Sequence, residues 1–571
     1  MRTKLHSLLV GASCALFPVS VFAQMNFTGG AELVGGGEIV SFDSASGSLL
    51  TTVSDGASHQ VGIYSLTSGG QLSNYRSIDL STEFGASGTS TFSLSSVAAD
   101  PLGRGFGVAT LIPTDRLNTT GKVVFFDIGS GARLGALDVG YHPDSVSFTS
   151  DGSRLLVANE GEFVSTAGTQ TAGSVSVISL AGVTNSATAG ALTNSAVSDV
   201  NFSAGLAAGV TLAGVRNARL DTTLVKSPDA LDVEPEYVTS ANGKAYVSLQ
   251  EGNAIAVIDL EGASANKVTA IHTLGSQVVT NTDLSDRDGA GGTATPSLTQ
   301  TIKGLPMPDT IKAFTKGGQT YLATANEGDA RPDDGDIGRG SAGATGVDTV
   351  NSGVGDVIYS GNVGNTGIGR LNLIKDVGNL DGDAGIEDPT MLGTRSFSIR
   401  NADTGELVFD SGAMIEAYVL ANDPALFNIN KNPAMLDARS DDKGPEIEAI
   451  AHGSINGRDY IFVGAERQNG IFMFDVTDFG DVEIVDYLNF STGSTLSAPG
   501  VDYVSPESLE FVFHGGKHFL IVGFEGEAGQ YDGSIAVIEI DTSAIPEPSA
   551  AGALAGVGAL GLASLRRRRR A

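Results

Sequence analysis

One cysteine, no tryptophan and few aromatic residues of any kind set the first limits on this 571-residue chain. Cys14 is the only thiol and lies in an apolar N-terminal run, so the body of the protein has no disulfide and no cysteine nucleophile. Cations are scarce as well: 34 Lys and Arg stand against 65 Asp and Glu, a formal net charge of −31. A surface this acidic repels phosphate backbones, which excludes nucleic acid as a partner. Divalent cations and cationic partners suit it. Neither H-E-x-x-H nor G-x-S-x-G occurs, and there is no P-loop or dinucleotide fingerprint. Zinc-protease and serine-hydrolase readings therefore have no motif support, and no organic cofactor is expected. Helical periodicity is hard to find.

What the chain has in abundance is glycine, 76 residues, together with a recurring β-type unit. In its clearest copies a Pro and a carboxylate open the unit and a Glu closes its second strand. These are Pro143-Asp144 to Asn159-Glu160, Pro235-Glu236 to Gln250-Glu251, Pro308-Asp309 to Asn326-Glu327, Pro445-Glu446 to Glu466, and Pro506-Glu507 to Glu525. Within each copy the two apolar runs meet at a turn pair: Asp151-Gly152, Asn242-Gly243, Gly317-Gly318, Asn456-Gly457 and Gly515-Gly516. Such pairs supply the positive φ angles of two-residue hairpins. Third strands follow at Ser174–Ser179, Ala254–Asp259, Gly470–Asp475 and Ser534–Glu539. Weaker copies begin near Glu38, with third strand Gln60–Ser65, and near Val97, leading into Lys122–Asp127; the copy opening at Asp309 has its third strand displaced to Ile368–Leu373.

Seven units of this kind predict an all-β chain, a seven-bladed β-propeller over residues 24–543. The last unit lacks a fourth strand, so Asn26–Val34 is expected to supply it and close the ring, hiding sheet edges. Residues 328–367 and 413–444 read as loop insertions on or near the acidic face, and 181–214 as an outer strand with a loose loop. In an up-and-down sheet the first strand starts where the second ends. The opening and closing carboxylates are therefore predicted to share one acidic face around the channel mouth.

The ends carry addresses. Arg2 and Lys4 precede an apolar run from Leu8 to Ala23, the pattern of a secretory signal peptide over residues 1–23 cleaved between Ala23 and Gln24. Residues 544–571 hold Pro546, Glu547 and Pro548, an apolar stretch of roughly 17 residues that just suffices to span a bilayer, and then Arg566, Arg567, Arg568, Arg569 and Arg570. Such a cationic cluster stays on the cytoplasmic side. This tail resembles the PEP-CTERM sorting signal of Gram-negative bacteria. The resemblance implies processing by an exosortase-type enzyme, transient inner-membrane anchoring through the tail alone, and delivery to the cell surface or extracellular matrix. Without the charges of leader and tail the net charge falls from −31 to about −37.

Several segments resemble the choice-of-anchor I family of secreted bacterial proteins. They are Leu155–Gly161, Glu234–Tyr237 with Gln250–Asn253, Thr324–Arg331, Arg395–Ile399, Leu407–Gly412, Arg439–Glu446 and Gly464–Gly470. The resemblance implies a propeller body carrying interchangeable anchors, and gives a phosphoester-directed activity as an alternative.

Candidate sites follow the acids. Asp309, Glu327, Asp329, Asp441, Asp442 and Glu446 form a candidate metal set, with Arg439, Lys443 and Arg331 orienting an anionic ligand. The competing reading of Arg439–Glu448 is a loop pinned by its own ion pairs. A ring of Glu160, Glu251, Glu327, Glu466 and Glu525 could bind calcium, a hard cation that takes several oxygens, or bond neighbouring backbone. Two further loops alternate carboxylates in a manner suited to calcium: Asp283, Asp286 and Asp288, and Asp381, Asp383 and Glu387. The function expected is that of an exported, monomeric, surface- or matrix-displayed scaffold with no catalytic residue. It would bind extracellular polysaccharide or surface proteins, with Ca²⁺ or another divalent cation. The alternative is a metal-dependent esterase or phosphoesterase.

Overall fold

The structure, a computed structural model, describes residues 23–543 apart from 56–57, 82, 84–91, 165–168, 217–229, 231–232, 331–336, 341–346, 348–359, 376, 379–385 and 492–502. The expected leader, the sorting tail, Arg331, Asp381 and Asp383 lie outside the described residues.

Seven antiparallel sheets of four strands account for most of the regular structure. Numbered along the chain, their first strands begin at Gly36, Phe92, Pro143, Pro235, Ile311, Ile447 and Pro506. The turn chemistry explains the hairpins. Asn242-Gly243, Gly317-Gly318, Asn456-Gly457 and Gly515-Gly516 all hold positive φ at both positions, the geometry that lets two residues reverse a twisted pair. At Asp151-Gly152 only the glycine does so, within a wider turn shaped by the Thr149 hydroxyl donating to Asp151.

The inner strands are apolar on both faces because each sheet is covered on both sides. Along Arg154–Asn159, Leu155 and Val157 pack toward the second sheet while Leu156 and Ala158 pack toward the fourth. Seven such hydrophobic layers occur, one between each pair of successive sheets. The last joins Phe519 and Ile521 of the seventh sheet to Val40 and Leu49 of the first. Each fully buried large aliphatic or aromatic side chain contributes about 1.5–3 kcal/mol, so the order of packing is held by many small terms. The first strands likewise lie against one another in sequence and back to the start.

The seventh sheet draws three strands from the end of the chain and its outer strand, Gln24–Leu33, from the beginning. Gln24 pairs with Asp541 and Leu33 with Gly533, the pairing anticipated for Asn26–Val34. Residues 181–214 do contain an outer strand, Val197–Asn201.

Two expectations are corrected. The third strand of the fifth sheet is Ser396–Asn401, paired with Gln319–Asn326, and not Ile368–Leu373. Leu371 and Leu373 instead enter a separate core with Val279, Ile302 and Met391. That core belongs to a five-stranded sheet made of Gln277–Thr282, Gln300–Leu305, Thr390–Leu392, Asn372–Ile374 and Ile337–Arg339. An apolar run alternates in the same way whichever sheet it joins, and the pattern alone cannot choose. Nor is 413–444 simply a loop. It holds the helix Met414–Asn422, whose Ile415 and Val419 pack against the fifth and sixth sheets.

A carboxylate-lined mouth as the candidate functional site

The first and second strands shift register at one recurring place in six of the seven sheets. A β-bulge leaves one residue unpaired and re-aims its side chain. At or within these shifts stand Glu38, Asp144, Glu236, Glu448 and Glu507, with Ser95 in the second sheet; Asp309 precedes the unshifted first strand of the fifth. The first strands enclose a cavity of ≈ 330 Å³ whose wall takes residues from all seven sheets, among them Ser96, Ser145, Tyr237, Thr310 and Glu507.

The proline before the acid gives four openings their shape, and at the sixth sheet it misleads. Pro445-Glu446 reads as the opening pair, but the bulge falls between Ile447 and Ala449 and selects Glu448. Glu446 is fully buried behind it, with a backbone φ of 52°. It pairs with Arg439 and, at 2.8 Å, with Arg467. Its placement in the ring is thus corrected to Glu448.

The residue after the acid does the stitching between sheets. Ser145 Oγ donates to the Glu236 carbonyl at 2.8 Å, and Ser508 Oγ to the Glu38 carbonyl at 2.6 Å. In the Asn-Glu pairs the asparagine does similar work within the sheet: Asn159 reaches Ser174 and Ser176, and Asn326 reaches Ser396 and Ser398. These bonds leave the glutamates facing the mouth. Carboxylate oxygens of Glu327, Glu448 and Glu466 come within 4.8 Å of one another, as do those of Glu466, Glu507 and Glu525.

Packed like charges with limited access to water hold protons. Burial first, then Glu525 and Asp144, pushes Glu38 up to about 8. Burial and Glu160 push Asp144 up to about 7 against the opposing pull of His142, whose Nδ1 lies 2.6 Å from Glu160. Glu236, Asp309, Glu448 and Glu507 rise well above the ordinary range, burial being the largest cause and neighbouring carboxylates the next. Asp309 and Glu448 also share a side-chain hydrogen bond. The Tyr237 phenol, likewise raised by burial, feels Asp309, Asp144, Glu507 and Glu448 from four other sheets. It occupies the middle of the throat, a role that no repeat position signals.

The 413–444 segment brings cations to this rim. Lys431 sits 3.3 Å from both Glu466 and Glu525. Lys443 pairs with Glu327 and lies 3.8 Å from Asp329 and 3.7 Å from Glu446. Burial alone would lower the pKa of Lys443, but Glu327 and Asp329 outweigh it and raise it. Asp442 is held by Arg439 at 3.0 Å and by Asn372, and Asp441 by Arg370 at 2.9 Å and Arg339 at 3.4 Å. Of the six-residue metal set, the structure therefore brings Asp309 and Glu327 to the mouth, leaves Asp329 half exposed at its edge, and engages Asp441, Asp442 and Glu446 with arginines.

Of the acidic loops, Asp283 and Asp288 converge with Asp437, which the sequence did not single out. Asp286 turns away to Arg370 at 2.7 Å and Arg287 at 3.4 Å. Glu387 is buried.

Residues 38–479 match the choice-of-anchor I domain. The chain belongs to the choice-of-anchor I family. The matched span holds every rim carboxylate except Glu507 and Glu525. Among curated proteins, Gigasin-3a of Magallana gigas is 29% identical over 183 residues, 31% of this chain and 54% of that protein. The mesenchyme-specific cell surface glycoprotein of Strongylocentrotus purpuratus is 30% identical over 111 residues, 17% of this chain and 14% of that one. The chain thus matches 54% or less of the length of these relatives. Among solved structures, the chain is similar at low identity to two β-propeller domains. That of Myceliophteria thermophila Cps50 (Swd1) has a TM-score of 0.40 and 8% identity over 90% of this chain and 100% of that one. The WD40 propeller of Doa1 has a TM-score of 0.39 and 8% identity over 91% and 98%.

Proposed function

We propose that this choice-of-anchor I protein is an exported seven-bladed β-propeller that serves as a binding scaffold at the cell surface or in the extracellular matrix. Its carboxylate-lined mouth takes up cationic groups of a partner. The observation that carries this reading is the convergence of acids from six sheets on one opening, balanced in part by Lys431, Lys443 and Arg467, with His142 beside Glu160. Low-dielectric walls focus such a field toward the opening. Seven four-stranded sheets and seven hydrophobic layers between them support the blade count. The leader at 1–23, the tail at 544–571 and a curated relative called a cell surface glycoprotein support the location. The arginines already held by Asp441, Asp442 and Glu446 count against the metal-dependent hydrolase.

The test is titration of the purified chain with poly-lysine, chitosan and neutral dextran. The expected result is binding to the cationic polymers alone, weakened about tenfold or more by raising the salt and by the double change Glu466→Gln and Glu525→Gln. Equal binding to dextran, or none to either polycation, sinks the reading.

A further inference from the structure

A second group of acids lies away from the mouth, where the five-stranded sheet meets the 413–444 segment. Asp283 and Asp288 belong to the connection between Gln277–Thr282 and Gln300–Leu305, and Asp437 arrives from the helical insertion. One oxygen from each lies within 4.8 Å of the others. Asp283 and Asp437 are fully buried. Ser285 and Ser297 amides donate to Asp283 at 3.1 and 2.6 Å, and the Thr295 amide donates to Asp288 at 3.2 Å. Ser440 Oγ donates to Asp437 Oδ1 at 2.6 Å, while the buried Oδ2 has no hydrogen-bond partner among the described residues.

No lysine, arginine or histidine pairs with any of the three among the described residues. The nearby cations are committed elsewhere: Arg370 to Asp286 and Asp441, and Arg395 to Glu416 and to the Asp283 carbonyl. A buried carboxylate oxygen without a donor is costly, and three converging acids are relieved either by shared protons or by a cation. All the donors are oxygen, with no imidazole or thiolate, which selects a hard cation over zinc. An irregular loop tolerates the larger ion, whose coordination is flexible, better than the strict octahedron of magnesium. We propose that Asp283, Asp288 and Asp437 bind a calcium ion that clamps the five-stranded sheet to the insertion carrying Lys431 and Lys443. The site stands whatever partner the mouth takes.

The purified full chain, stripped with EDTA, is titrated with Ca²⁺ by calorimetry and followed by thermal melting. The expected result is one ion per chain and a rise in Tm of several degrees. Asp437→Asn should weaken the affinity at least tenfold and remove the Tm rise. Asp288→Asn, at a half-buried position, should do the same should Asp437→Asn not fold. Glu448→Gln, at the mouth, should retain the full calcium response. Absence of calcium binding, an unchanged response in both aspartate variants, or a response lost in Glu448→Gln would each overturn the proposal.

Discussion

At the mouth, carboxylates from different sheets crowd together beside lysines and retain protons; beneath the insertion, three aspartates meet with no basic side chain paired to them among the described residues. The first arrangement is repeated around a ring, five of its acids placed by the same bulge, and its charge is adjusted by proton uptake and by Lys431, Lys443 and Arg467. The second is assembled once, from two distant segments; burial pushes Asp283 up to about 7 and Asp437 up to about 8, and no basic side chain among the described residues pairs with the three. The ring presents many carboxylates at one opening, whereas the enclosed triad brings three to a single point.

The strongest way to break this contrast is at Arg395, the buried residue that ties the two regions together. Its guanidinium reaches Glu416 at 2.9 Å, with both side chains fully buried, and donates to the carbonyls of Ser440 and Asp442 at 2.8 and 2.7 Å. Arg395→Met leaves Glu416 buried without a cation, held only by Thr282 and Asn428 among the described residues, and urea unfolding should show a loss of about 3–5 kcal/mol. At the mouth, Lys443→Met strips Glu327 of its cation and should cost about 2–3 kcal/mol at pH 7 in the same assay.

The proton-holding rim predicts a pH dependence of definite sign. Below about pH 4.5 Glu38 is protonated whether the chain is folded or not; above that, only the folded chain keeps the proton, up to about pH 8. Stability from this group is complete at the acid end and is lost as pH rises to about 8, and Asp144 acts in the same direction to about 7. Tm measured in EDTA should therefore fall across this window, and Glu38→Gln should flatten the fall. The smallest effect belongs to an outer pair remote from both regions. Lys122→Met breaks the 2.5 Å bridge to half-exposed Asp138 and should change stability by less than about 1 kcal/mol at any pH.

The order of strands was legible because turn pairs and apolar runs recur together, and a hairpin depends on little else. The third strand of the fifth sheet was not, because an insertion separates its partner from it and Ile368–Leu373 offers the same alternation nearer in sequence. Glu448 was hidden by the near-duplicate Pro445-Glu446-Ile447-Glu448, where backbone register rather than residue type decides which acid faces the mouth. Asp437 lies between Leu436 and Ala438, just outside the charged Arg439–Glu446 stretch, and gains meaning only when folding brings Asp283 and Asp288 to it. Asp286, which carries the same sequence signal as those two, is diverted by Arg370. The positions of arginines in space thus settled which acids were engaged, and no local motif encodes that.

The strand exchange in the seventh sheet fixes an orientation. Pro506–His514 starts at the acidic mouth, Lys517–Phe524 returns to it, and Gly533–Asp541 runs away again, with Gln24 alongside Asp541. Both chain termini of the described body therefore emerge on the side opposite the carboxylates. A tether attached after Ser543 would moor the body by its back and leave the carboxylate mouth facing the medium.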